Sequence, residues 1–218
     1  MGQEESKSIW KLIGWLKKTK KIEVVAFYEE VPINGVLELE EVEEPLEQII
    51  WKSDKKLIPP LRETRHLYFK KDGEVYILTV IAYDEKEIAT SFPSLALDKK
   101  LNRAYVRVKT SETDPVDVMI NGIQLSAEDI SEAGIGILAP EDRVKNLEVN
   151  KEYDIMLRIR GEFLKLKGII VYKMKAGKGF ERIGIKFTQV KPKDQDRIAK
   201  YIMDRQREIA KKIFLFKG

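Results

Sequence analysis

Short runs of β-branched and aromatic residues, broken every few positions by turn residues, dominate this 218-residue chain. The pattern predicts strands at 22–28, 35–42, 48–51, 65–70, 74–83 and 87–91. Between them lie Asn34-Gly35, Pro59-Pro60 and Asp72-Gly73, and the last reads as a hairpin turn. The pattern lapses from Pro93 to Lys100 and then resumes at 103–110, 116–120, 135–138, 152–160, 162–173 and 181–189. Within 152–160, Tyr153, Ile155, Leu157 and Ile159 alternate with Asp154, Met156, Arg158 and Arg160, so one face is buried and the other partly charged. Two segments keep a helical period instead. Ile9, Leu12, Ile13 and Leu16 fall on one face of a basic amphipathic helix at 8–18, with Trp10 and Trp15 flanking, Lys11, Lys17 and Lys18 opposite and Ser8 as cap. Ile198, Ile202, Ile209 and Ile213 mark a C-terminal helix at 193–214.

Strands at this spacing, without alternating helices, predict a mainly β protein of two small antiparallel β-barrel domains joined by a short linker. The first domain is expected at 1–98, with the amphipathic helix, and the second at 99–218, with the C-terminal helix. Charge sharpens that division: residues 1–98 hold 14 Lys and Arg against 19 Asp and Glu, the remainder 26 against 17. A basic second half points to an anionic partner. Cysteine is absent, which excludes disulfides, thiolate catalysis and Cys-based zinc sites and suits a reducing cytoplasm. No run approaches the roughly 18 apolar residues that span a bilayer. The helix at 8–18 still allows peripheral membrane contact, although such a stripe more often packs on its own domain.

Little in the chain suits catalysis. His66 is the single histidine, so neither a Ser-His-Asp triad nor a His-rich metal site is expected. A phosphate loop and a dinucleotide fingerprint are both missing. The reading is therefore a non-enzyme without cofactor or metal. One ordered pair of elements stands out. Arg103 and Arg107 are spaced four apart in a predicted strand and share a face, about 13 Å apart along the backbone. After 21 further residues comes Asp129-Ile130-Ser131-Glu132-Ala133-Gly134. Two arginines on one face can grip a large anion, because the planar guanidinium forks onto phosphate or guanine O6 and N7 and stacks on purines. Asp129 and Ser131 read as a turn offering an acceptor and a hydroxyl, while Gly134 and Gly136 read as positions of positive φ or close backbone approach to a ligand.

Arg103-x-x-x-Arg107 followed by Asp129-x-Ser131-x-x-Gly134 resembles the signature of the PilZ domain, over roughly residues 99–218. The resemblance extends to the 184–187 strand and the 198–207 helix. It implies binding of the bacterial second messenger cyclic di-GMP (c-di-GMP) by Arg103, Arg107, Asp129, Ser131 and Gly134, with Asn102 and Gly136 beside them. A β-rich domain ahead of the linker resembles the two-domain, flagellar-brake type, in which ligand changes the interdomain arrangement. That likeness implies a protein partner in the flagellar motor or polysaccharide synthesis machinery. Many members carry an arginine where this chain has Asn102, a departure that points to one ligand per chain. The alternative, from another class, is a basic barrel binding RNA or single-stranded DNA through Arg158, Arg160, Lys165 and Lys167 with Phe163.

Overall fold

The computed structural model describes residues 3–98 and 100–215. The chain divides into two compact units: one runs to Ala104 and also takes in the chain from Ile209 onward, and the other is Tyr105–Glu208.

In the first unit, helix α1 (Gln3–Thr19) precedes strands β1 (Lys21–Tyr28), β2 (Val31–Glu43) and β3 (Gln48–Lys52). A short helix α2 (Ile58–Glu63) follows, then β4 (His66–Lys71), β5 (Glu74–Tyr83), β6 (Glu87–Ser91) and β7 (Ser94–Leu95). The strands pair in the order β4-β1-β2-β3-β6-β5, and β4 pairs again with β5, so among the described residues six antiparallel strands close a barrel. Closure removes the exposed edges that an open sheet would present. The expected barrel is present, and the hairpin predicted at Asp72-Gly73 joins β4 to β5 with positive φ at both residues (51° and 84°), as a type I′ turn requires. Asn34-Gly35, read as a break, lies inside β2; a Cβ on Gly35 would come within 2.7 Å of Leu57, so the glycine admits a neighbouring side chain. Pro59 and Pro60 open α2, where their lack of an N–H is harmless. β7 pairs with β5, so part of the predicted linker adds a strand to this sheet.

Period two is visible in β1, whose Ile22, Val24 and Ala26 point inward. They meet Leu37, Ile49, Trp51, Leu67, Phe69, Leu78 and Ile88 in one core. The fully buried Trp51 donates its indole N–H to Thr90 Oγ1 at 2.9 Å, which satisfies the one polar atom it carries inward. Leu12, Ile13 and Leu16 of α1 pack into that same core, and Trp15 stacks on Phe69. The apolar stripe that allowed membrane contact is therefore covered by its own domain. No helix among the described residues is long and apolar enough to cross a membrane.

The second unit contains β8 (Arg107–Lys109), β9 (Val116–Ile120), β10 (Ile123–Ser131), β11 (Gly134–Pro140), the single-turn α3 (Glu141–Val144), β12 (Glu152–Ile159), β13 (Glu162–Lys175) and β14 (Phe180–Gln189). The order β11-β14-β13-β12-β9-β10, with β10 returning to β11, closes a second six-stranded antiparallel barrel among the described residues, and β8 adds to the outer edge of β10. Helix α4 (Pro192–Leu215) carries the predicted isoleucine stripe, with Ile198 and Ile202 buried in this unit and Ile209 and Ile213 in the chain grouped with the first. Tyr201 on α4 donates to the Asp114 carbonyl at 2.7 Å, and burial raises its hydroxyl to about 12.

A guanidinium-clamped carboxylate as the candidate ligand site

The site is built around β10. Leu125 and Ala127 face the barrel core, and simple alternation would send residue 129 inward after them. The pairing with β11 shifts between Ala127 and Asp129, leaving Glu128 as an extra residue. This β-bulge reverses the alternation: Ile130 faces the core opposite Ile135, and Asp129 and Ser131 take the other face. Asp129 and Ser131 are thus strand residues. The turn expected there is confined to Glu132 and Ala133, because β10 and β11 stay paired up to Ser131 and Gly134.

Register then assembles the face. Ser131 lies opposite Arg107 of β8 on one side and Gly134 of β11 on the other. Asp129 lies between Lys109 and Gly136, and Gly136 is opposite Gly184 of β14. Asp129 is 0% exposed although it is charged. Two guanidiniums make that tolerable: Arg107 Nη1 is 3.1 Å from Oδ1, and Arg182 Nη2 donates to Oδ2. Arg182 also donates through Nη1 to Glu128 at 2.7 Å, so the bulge residue and the residue after it hold one arginine between them. Burial pulls the Arg182 guanidinium down, but the Tyr172 hydroxyl and the Asp129 and Glu128 carboxylates outweigh it and hold its pKa above the ordinary value. Arg107 Nε is buried without a hydrogen-bond acceptor among the described residues. Ser131 donates its hydroxyl to the Gly134 carbonyl at 3.2 Å.

Neither Gly134 nor Gly136 has positive φ. Both are close-approach positions, and the approach is made by protein. A Cβ on Gly134 would lie 2.2 Å from the Ile185 carbonyl oxygen of β14, and one on Gly136 would lie 2.6 Å from Asp129 Oδ2. Gly184 gives the same room to the Tyr172 ring. The expected offer of Asp129 to a ligand is also altered, since both its oxygens face arginines.

Arg103 and Arg107 do not continue one strand. β8 covers Arg107–Lys109 alone, and the rest of the predicted 103–110 strand is irregular, following a 3-10 turn at Lys100–Asn102. Asn102 is exposed at the end of that turn. The Arg103 guanidinium pairs with Glu30 at 2.6 Å within the first unit. Sequence reasoning missed Arg182, Glu128 and Tyr172; none stands in the ordered motif, and the spacing of Arg182 two residues before Gly184 was the available signal.

The cations of the nucleic-acid alternative are largely engaged. Arg158 donates from Nε to Asp117 at 2.8 Å, Arg160 reaches Asp114 at 2.8 Å and Asp204 at 2.7 Å, and Lys167 is 3.7 Å from Glu152. Phe163 is 60% exposed. A cleft of about 730 Å³, lined by Met119, Met156, Lys165, Lys167 and Lys191 among others, contains none of the motif residues.

Residues 101–204 match the family model for the PilZ domain. An uncharacterized protein of Aquifex aeolicus (strain VF5) is 28% identical over 172 residues, which covers 76% of this chain and 81% of that protein. A second uncharacterized protein of the same organism is 23% identical over 232 aligned positions, covering 93% and 95%. Among solved structures, MrkH of K. pneumonia in complex with c-di-GMP is similar at a TM-score of 0.52 and 14% identity, covering 94% of this chain and 96% of that one, a likeness of fold. With a family match that spans the second barrel and both halves of the ordered motif, residues 101–204 belong to the PilZ domain family.

Proposed function

We propose that the protein is a non-catalytic receptor for c-di-GMP in the cytoplasm. The observation that carries this reading is the Arg107–Asp129–Arg182 cluster, which sets two guanidiniums on one outer face of the PilZ barrel beside Ser131 and above glycine backbone. Arginine forks there can meet guanine edges or phosphate, and Asp129 fixes their orientation in advance, so less side-chain freedom is lost on binding. MrkH, which shares the fold, is a protein solved with c-di-GMP, and that lends support to the same ligand class. Arg103, Asn102, Gly134 and Gly136 complete the proposed set of ligand-binding residues.

Binding changes the arrangement of the two domains. Arg103 lies one residue before Ala104, where the first unit's main run of chain ends, and Arg107 opens β8, so a ligand engaging both acts on the segment that joins the units. The ligand can shift that arrangement only by its difference in affinity for the two states. The output is control of motility or exopolysaccharide production through a protein partner of the flagellar or polysaccharide machinery.

The test is calorimetric titration of c-di-GMP into the intact chain and into Arg103→Ala and Arg107→Ala, with GTP and a short RNA as controls. Micromolar or tighter binding to the intact chain, one ligand per chain, and loss in both variants is expected. Binding of RNA without binding of c-di-GMP would replace this reading with the nucleic-acid one. X-ray scattering of the intact chain with and without saturating ligand tests the switch, and unchanged profiles would count against it.

A further inference from the structure

The hairpin joining β1 to β2 consists of two glutamates, Glu29 and Glu30, both with positive φ (48° and 67°). Two-residue turns of this hand favour Asn-Gly or Asp-Gly, because side chains with a Cβ are strained in the left-handed region. The other two-residue hairpins with positive φ at both positions among the described residues follow that preference closely: Asp72-Gly73, Asn121-Gly122 and Arg160-Gly161 all have glycine second. At the first hairpin both positions keep acids, and strain retained in this way points to a use for the side chains.

The use of Glu30 is visible. Its carboxylate accepts from Arg103 Nη1 at 2.6 Å and from Lys100 Nζ at 3.3 Å, and it is 18% exposed. The same stretch of chain is tied down twice more: Asp98 accepts from the Tyr68 hydroxyl at 2.7 Å, and the Lys100 ammonium lies 5.3 Å from the centre of the Phe27 ring. Glu29 is used differently, pairing with Lys212 near the end of α4.

We infer that Glu30 is an internal anion that occupies Arg103, so that an incoming phosphate or guanine must displace a carboxylate already in place. Glu30 thereby sets the concentration at which the receptor responds: the pair holds Arg103 in the unliganded chain, and its loss enters the free energy of binding. Removing the carboxylate while keeping the turn releases the arginine in advance. This inference rests on the proposed c-di-GMP site and concerns its affinity.

The experiment is calorimetric titration of c-di-GMP into the full chain and into Glu30→Gln, Glu30→Asn, Glu29→Asn and the double variant Glu30→Gln/Arg103→Ala, each with a thermal melt. Asparagine tolerates positive φ, so both Asn variants relax the turn and remain folded. Glu30→Gln and Glu30→Asn should bind about two- to fivefold more tightly than the unaltered chain, the span that an ion pair of this exposure carries. Glu29→Asn, which relaxes the same turn and leaves Arg103 paired, should bind as the unaltered chain does. In the double variant the gain should vanish. Equal or weaker binding by both Glu30 variants, with the unaltered chain still binding, would overturn the role of Glu30 and leave the receptor reading intact. Equal tightening by Glu29→Asn would also overturn it, by assigning the effect to turn strain. Absence of binding by every variant and by the unaltered chain would overturn both readings together.

Discussion

Gly136 and Asp129 share one small space on the outer face of the second barrel: a Cβ on Gly136 would lie 2.6 Å from Oδ2 and 2.8 Å from Oδ1 of the carboxylate. The carboxylate cannot swing aside, because Arg107 and Arg182 hold it from both sides. Gly136→Ala is therefore expected to cost about 1–3 kcal/mol, the usual range for inserting a methyl group into a packed site. Chemical denaturation checks the stability, and titration of c-di-GMP should register a weaker complex through the displaced Arg107.

Gly134→Ala should be the more damaging of the two glycine substitutions. The atom a new Cβ would meet at 2.2 Å is the Ile185 carbonyl oxygen, and backbone in a paired strand yields less readily than a side chain. A loss exceeding that of Gly136→Ala, with broadened amide resonances in β11 and β14, is the expected outcome. A melting temperature equal to that of the unaltered chain would contradict the packing described.

Arg182→Gln removes one of the two guanidiniums on a fully buried carboxylate. Breaking a wholly buried ion pair from one side costs several kcal/mol, but Arg182 is partly exposed and Arg107 remains, so about 1–3 kcal/mol is expected. Lysine should not restore ligand affinity, since it cannot bridge Glu128 and Asp129 with a planar fork. Parallel unfolding and binding curves for Arg182→Gln and Arg182→Lys distinguish the two effects.

The pH dependence of the Glu30 pair has a definite sign. Burial raises the Glu30 carboxyl, but the hydrogen bond from Arg103 and the charges of Lys100 and Arg103 outweigh it, so its pKa lies below the ordinary carboxylate value. The groups facing it are Lys100 and Arg103, with Glu29 next in the turn and Asp98 bonded to the Lys100 amide. A depressed folded pKa contributes stability that is present above the unfolded value and lost as pH falls through the folded value. The Glu30→Gln effect on c-di-GMP affinity should therefore be constant between about pH 6 and 8, since a carboxyl with an unfolded value near 4.5 stays ionised there. It should shrink only in acid, where Glu30 in the unaltered chain is itself neutral. Binding curves collected across that pH range provide the check.

The strands that follow period two were readable from composition and turn residues alone. β5, predicted at 74–83, is Glu74–Tyr83, and β9, predicted at 116–120, is Val116–Ile120. Those segments bury one face and solvate the other, so burial stamps itself on the sequence. β10 was not readable, because Glu128 is inserted at the bulge and the alternation of Leu125 and Ala127 fails at Asp129. The acid and the serine of the ordered motif then looked like a turn. Arg103 was misplaced for a related reason: residue spacing says nothing about an acid that is 73 positions away in sequence.

What the sequence by itself determined is the set of local preferences: two families of short strands, the glycine-bearing hairpins, the two amphipathic helices, and the ordered motif that marks the PilZ domain. These follow from side-chain size, branching and backbone freedom, which act over a few residues. Tertiary structure alone decided which charges meet. It turned Asp129 outward, brought Arg107 and Arg182 onto its two oxygens, and set Glu30 of a strained turn on Arg103. Pairings of that kind depend on strand register and chain closure, and a one-residue bulge reverses them while leaving the composition of the chain unchanged.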